Sequence, residues 1–310
     1  MNTLINVFSI IIAVLLSGCQ QQRLYKDTRV LMGTFVEVIS PEKRASKIAF
    51  DEMQRLENLL SKYKPDSEVS RLNAKGELKL SPEAFFIIKR SKDISQASGG
   101  AFDITVAPLV DLWGFTDRKF KIPQDTEIKE TLKLVGSEKI VLNDSNNVVK
   151  FSFPGMKIDL GGIAKGYALD CAAKKLKDAG IKSCLINAGG QVYALGDKFG
   201  TPWMIGIKDP RRVEPTEFIT LENQSTSTSG NYQQFFIKDG VRYAHIIDPK
   251  TGFPAKAGLI SVTVTAPEGL TADALSTAIF VLGKEKGEAL AKNFPQIKLM
   301  EVEEKTAKTQ

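Results

Sequence analysis

Hydrophobic and polar positions divide the chain into an apolar opening run and a longer part where apolar residues recur at helix or strand spacing. The opening run, "VFSIIIAVLLSGC" (Val7 to Cys19), is uncharged, short for a membrane span and ends in small residues. That is the pattern of an export signal. Past it, "RVLMGTFVEVIS" has the β-branched and aromatic content of a strand, interrupted at Gly33. Pro41-Glu42 then opens a long helix with Ile48, Ala49, Met53, Leu56 and Leu59 on one face. "SKYKPDSEVSRLN" reads as a loop turned by Pro65 and Asp66. A second helix starts at Ser81-Pro82, an N-cap followed by proline, and stops at Gly99-Gly100. A hairpin around "NDSNN" leads to "MKIDLGGIAKGYALDCAAKKLKDAG", which reads as strand, glycine turn and helix, with Gly180 as the stop.

From Ser183 onward short apolar or alternating runs recur between turn signals: "SCLINA", "QVYALG", "WMIGI", "EFITL", "QQFFI", "RYAHII" and "LISVTVTA". Two helical patterns follow, Ala272 to Leu282 and Glu285 to Phe294, and then a polar tail, "EEKTAKTQ". No repeat or linker divides the chain. The expected organisation is a signal peptide (1–18), a lipidated tether (19–29), one compact α+β domain (30–302) with a sheet-rich second half, and a mobile tail (303–310).

Composition adds limits. At 310 residues, 43% hydrophobic and 25% charged, the chain is long enough to bury a large core. Its formal charge is +6, but the basic residues are scattered rather than striped, so no nucleic-acid partner is expected. Leu16-Ser17-Gly18-Cys19 resembles the bacterial lipobox, in which the chain is cut before the cysteine and Cys19 carries lipid. Several acyl chains on Cys19 would give stable membrane attachment. Cys171 and Cys184 have no zinc-like spacing; they read as packing residues, with a bridge between them left open.

Four stretches bear candidate chemistry. "DLGGIAKG" (Asp159 to Gly166) sets an acid, two glycines and Lys165 at a helix start, where backbone can approach an anionic phosphate, although many such turns need glycine only for sterics. His245, the single histidine, precedes the turn Asp248 to Gly252; a neutral imidazole there suits removal of a hydroxyl proton, or is simply structural. In "ADALSTAIF", Asp273 and Thr277 share a helical face and can point oxygens at a hard cation such as Mg²⁺, with Ser276 as an outer partner. The same pair also fits an ordinary helix start, with Thr277 bonded to its own helix. "GGAFDITVAPLVDLWGF" supplies Phe102, Trp113 and Phe115 either as a wall for a planar ligand or as core.

Taken in order, "LMGTFVEV", "SKYKPDSEVSRLN", "GGAFDITVAPLVDLWGF", "KIDLGGIAKGYALD", "NAGGQVYALG", "TSTSGNYQQFF", "HIIDPKTG" and "ADALSTAIFVLG" resemble the FAD:protein FMN transferase (ApbE) family, over roughly Leu31 to Gly283. The resemblance implies a T-fold-like α+β domain. It implies Mg²⁺ held by Asp273, Thr277 and a backbone oxygen at Gly162. It implies an FAD pocket using Met32, Tyr63, Ala101, Phe102, Asp103, Asp159, Lys165 and the backbone near Ile247, with His245 orienting or deprotonating the acceptor. The implied reaction moves FMN from FAD to a Thr or Ser hydroxyl of an acceptor protein, in the family's setting a subunit of a membrane redox complex, and releases AMP. Two alternatives share these features: hydrolysis of FAD to FMN and AMP, and a lipid-tethered flavin-binding protein without chemistry. The lipobox implies a lipid-anchored chain facing the periplasm; Gln20 stands in place of the aspartate that commonly retains lipoproteins at the inner membrane, whereas the family's usual setting favours that membrane over the outer one.

Overall fold

The computed structural model describes residues 23–215, 217–256 and 258–304; the signal segment, Cys19 and the end of the tail lie outside the described residues. The strands are β1 (Tyr25–Leu31), β2 (Thr34–Ser40), β3 (Glu77–Lys79), β4 (Ile140–Asn143), β5 (Val148–Phe151), β6 (Cys184–Ala188), β7 (Gln191–Leu195), β8 (Trp203–Ile207), β9 (Glu217–Leu221), β10 (Gln224–Gly230), β11 (Phe235–Lys238), β12 (Val241–Ala244), β13 (Leu259–Ala266) and β14 (Lys298–Glu303). The helices are α1 (Arg44–Leu60), α2 (Glu68–Lys75), α3 (Pro82–Ala97), α4 (Ala107–Leu112), α5 (Asp125–Leu132), α6 (Ala164–Asp178), α7 (Gly269–Leu282) and α8 (Lys284–Ala291).

Seven strands form one sheet in the order β1-β2-β6-β7-β10-β13-β14, every neighbouring pair antiparallel. Helices α1, α6 and α7 pack together, and their apolar faces meet one face of this sheet in the main core. On the other face a smaller cluster joins Trp203 of β8 and Leu221 of β9 to Val192 and Ala194 of β7. A third cluster gathers Leu109, Trp113, Ile128 and Ile247, with Phe236 and Tyr243 of the β11–β12 hairpin packed on it.

Three stretches fold differently from their sequence reading. "RVLMGTFVEVIS" belongs to a hairpin rather than one interrupted strand: Leu31 pairs with Thr34, and Met32 (φ 52°) and Gly33 (φ 74°) make a two-residue turn. Positive φ at both positions matches the turn whose twist suits adjoining strands. "SKYKPDSEVSRLN" is only partly loop. Ser67 accepts a hydrogen bond from Ser70 N–H (3.0 Å), Val69 and Leu72 are buried, and Gly76 (φ 74°) ends helix α2. "MKIDL" is extended but joins no sheet. Its hydrogen bonds go instead to the Asn73 amide, which donates to Ile158 O (2.9 Å) and accepts from Ile158 N–H (2.8 Å), and from Asp159 N–H to Ile104 O (2.7 Å). One side chain thus replaces a neighbouring strand.

The polar run "QSTSTSG" is a strand near the middle of the sheet, β10, which alternation of apolar residues does not announce. Its Ser and Thr hydroxyls are satisfied internally: Ser225 donates to Val192 O (2.7 Å), and Thr228 pairs with Thr263 (2.8 Å). Cys171 on α6 and Cys184 on β6 are both free thiols, so no bridge joins them. Among the described residues no helix is long and apolar enough to cross a membrane.

Candidate active site

Two helix starts build the floor of the site. Gly166 in the first turn of α6 and Gly269 at the start of α7 touch backbone to backbone; a Cβ on Gly166 would lie 2.0 Å from Gly269 O. At this crossing each helix caps the other. Asp170 of α6 accepts from Gly269 N–H (2.6 Å) and Leu270 N–H (2.9 Å), and Asp273 of α7 accepts from Gly166 N–H (3.0 Å). These are amides that a helix start leaves without internal partners. Burial pushes the Asp170 carboxyl up to about 6 against the lowering effect of those amides.

Above this floor lies a cleft of about 1000 Å³, at the upper end of the roughly 300–1000 Å³ usual for small-molecule sites. Every site residue expected from sequence lines it, Cys19 apart, which is outside the described residues. The β1–β2 turn brings Met32, the segment after α1 brings Tyr63, and the stretch after α3 brings Ala101, Phe102 and Asp103. The glycine turn before α6 brings Asp159, Gly162 and Lys165; the segment after β12 brings His245 and Ile247; α7 brings Asp273 and Thr277.

Asp273 is 4% exposed, and its other oxygen accepts from Ser227 Oγ (3.2 Å). Thr277 Oγ1 lies 3.2 Å from Ser229 Oγ, and its bond back to Asp273 O is long, 3.4 Å. Ser276, fully buried, donates to Asp273 O (2.9 Å) and lies 2.9 Å from Ser229 Oγ. Gly162 sits directly against Thr277: a Cβ there would be 3.3 Å from the Thr277 hydroxyl and 3.3 Å from the Phe102 ring. The donors are all oxygens, one anionic and the rest neutral, which is the set a hard divalent cation takes. A second group of candidate ligands, Glu52, Glu83 and Cys171, is of a different kind. Arg55 binds both carboxylates there (2.7 Å each), and burial pushes the Cys171 thiol up to about 11.

The flanking walls carry charge. Asp159 accepts from Gly161 N–H (2.8 Å) and pairs with Lys62 Nζ (2.9 Å), while Lys165 Nζ bonds Gly161 O (3.1 Å). Burial lowers the pKa of Lys62, but the Asp159 charge and hydrogen bond outweigh it and hold the ammonium above its ordinary value. The Asp103 carboxylate is spent inside the wall on Thr105 N–H (2.8 Å), Thr105 Oγ1 (2.6 Å) and Ser137 N–H (2.7 Å); burial pushes it up against these bonds. The aromatic stretch divides: Phe102 and Phe115 line the cleft, whereas Trp113 is core, its indole N–H on Gly252 O (2.9 Å).

His245 Nδ1 lies 3.1 Å from Gln234 O. A carbonyl only accepts, so Nδ1 bears the proton and the neutral ring keeps Nε2 as a free acceptor. Desolvation pulls His245 below its ordinary 6.5; Lys165 adds to that, and the Gln234 carbonyl and Asp159 oppose it. Its ring is half-buried by its own surface, but the surrounding protein suffices for this shift. Sequence reasoning missed Lys62, Ser227, Ser229 and the Gly166 amide. Lys62, Ser227 and Ser229 all lie within motifs that carry the resemblance, but Lys62 is one of many scattered basic residues and the serines sit on a strand that lacks an apolar pattern.

The match to known proteins covers this whole arrangement. The model of the ApbE family matches residues 32–300. The chain belongs to that family. FAD:protein FMN transferases of Treponema pallidum and Escherichia coli K12 are 34% and 35% identical to it, covering 90% and 84% of this chain and 84% and 79% of theirs. The ApbE protein of Thermotoga maritima superposes with a TM-score of 0.85 at 36% identity, covering 91% of this chain and 94% of that one. The ApbE flavin transferase of Vibrio cholerae gives 0.83 at 31%, covering 92% and 94%. The ApbE fold is thus present as one compact α+β domain.

Proposed function

We propose that this enzyme, a flavin transferase by its family, moves the FMN half of FAD to a Thr or Ser hydroxyl of an acceptor protein and releases AMP. The observation that carries the reading is the convergence, in one dinucleotide-sized cleft, of the Asp273–Thr277 oxygen donors, the Lys165 ammonium and the free Nε2 of His245. Asp273, Thr277 and the Gly162 backbone oxygen would hold Mg²⁺, which when bound offsets the charge of the pyrophosphate and of departing AMP. Lys165 and the Gly161–Gly162 turn place positive charge and closely approachable backbone where a pyrophosphate fits. Lys62 fixes Asp159, and so the turn that begins there. The acceptor hydroxyl gives its proton to Nε2 of His245 as its oxygen bonds the FMN-side phosphorus, and the bond from that phosphorus to AMP breaks. The Gln234 carbonyl keeps the imidazole in the receptive tautomer throughout.

The chain works, on this reading, from the periplasmic face of a membrane to which Cys19 ties it, with the inner membrane favoured. The test is intact-mass analysis of a redox-subunit acceptor domain incubated with the enzyme lacking its residues up to Cys19, FAD and Mg²⁺. A gain of one FMN with matching AMP supports transfer. Free FMN with an unmodified acceptor replaces transfer by hydrolysis, and intact FAD replaces it by binding alone.

A further inference from the structure

Among the described residues β1 is the edge strand of the main sheet, and the tip of the β1–β2 hairpin forms part of the cleft wall. Immediately behind that tip Val30 and Phe35 face each other as a cross-strand pair, 67% and 73% exposed. Scattered apolar residues at a surface need no explanation. These two are adjacent; Phe35 directly follows Thr34 and only Leu31 separates Val30 from Met32, and both Met32 and Thr34 line the cleft. Counting back from the two-residue turn, Leu31 exchanges main-chain bonds with Thr34, so Val30, Thr28 and Lys26 direct theirs away from β2. Thr28 N–H fits that direction, being bonded to the Asp27 carboxylate (2.9 Å), while among the described residues the main chain at Val30 has β2 as its one strand neighbour.

We infer that Val30, Phe35 and the outer edge of β1 at Val30 dock the acceptor protein, receiving an apolar residue of the extended segment that carries its hydroxyl. The inference rests on the transferase reading above. That reaction needs a protein hydroxyl to reach Nε2 of His245 inside the cleft, so the acceptor must lie across the rim. An exposed strand edge with an apolar pair favours an extended segment, main-chain bonds supplying affinity and a side-chain contact supplying selectivity. Neither residue lines the cleft itself, so their substitution tests docking apart from FAD binding.

The test compares wild type with the double variant Val30→Thr/Phe35→Thr, which keeps strand-forming residues, and with Phe35→Leu. The probe is a purified redox-subunit domain bearing one acceptor threonine. Loss of one good apolar contact corresponds to a rise of roughly tenfold in KM for the acceptor. The double variant should show that rise with kcat, FAD affinity by flavin fluorescence and melting temperature unchanged, and Phe35→Leu should stay near wild type. An acceptor KM within about twofold of wild type in the double variant overturns the inference. So does a change confined to self-association or vesicle binding, which would assign the pair to a second copy or a bilayer. A wild-type enzyme that binds FAD but transfers no FMN would instead remove the transferase reading, and the docking role with it.

Discussion

Asp273 serves two partners, the first turn of α6 through Gly166 N–H and the cleft through its second oxygen. Asp273→Asn keeps a neutral acceptor for the amide and loses the charge, so it should fold and bind FAD while Mg²⁺-dependent turnover falls roughly a hundredfold or more. Melting curves and rates measured on one preparation check both halves; near-normal turnover would remove Asp273 from the site. His245 gives a pH prediction with a definite sign. Its folded pKa lies below 6.5, and the base form is the neutral one, so transfer should persist at pH 6.5 and decline only as pH falls further. His245→Gln should be slow and lack that acidic limb, and a matching limb in the variant would assign it to another group. At this scale the sequence was informative where spacing decides: an acid and a hydroxyl four apart share a helix face whatever surrounds them. It was silent on Lys62, whose role comes from a carboxylate far along the chain, and it put Asp103 at the pocket without showing that the Asp103 side chain braces the wall.

The reciprocal capping of α6 and α7 rests on two like-spaced stretches, "GYALD" (Gly166 to Asp170) and "GLTAD" (Gly269 to Asp273). In each, glycine permits the close crossing and the acid four residues later reaches the other helix's amides. Gly166→Ala puts a methyl against the Gly269 carbonyl, which only movement of a helix relieves, so a loss of roughly 3 kcal/mol in unfolding free energy is expected. Because the same movement draws Asp273 off Gly166 N–H, the folded fraction should also transfer flavin poorly. Denaturant titration and single-turnover rates give the two readings. Neither stretch is conspicuous in the sequence, since five residues with glycine and acid at the ends occur widely. Long amphipathic elements such as α1 and α3 were legible from periodicity and caps. Strand β10 was not, because threonine and serine pairs across the sheet stand in for an apolar alternation.

For the whole molecule, the sheet order places the flavin cleft at one end of the strands and the chain's entry, at Leu24 beside Trp203 and Leu221, on the sheet's second face. Only a few residues separate that entry from Cys19. If Cys19 is the lipid attachment, Cys19→Ala should move the protein from the membrane to the soluble fraction while its transfer rate on a soluble acceptor holds; retention on membranes would reject the tether. The α+β class was readable because helical and strand runs segregate along the chain, but the order of seven strands was not, since pairing between distant segments leaves no local mark. The small hydroxyl residues of β10 also bear on how such an enzyme can change under selection. Valine at Ser227 and Ser229 would raise strand propensity, yet it would fill the space beside Asp273 and Thr277 and strip the buried Asp273 carboxylate and Ser276 hydroxyl of partners. A library scored for thermal resistance should therefore keep serine at the same two positions that a screen for flavin transfer keeps, so the two kinds of fitness coincide within a single element.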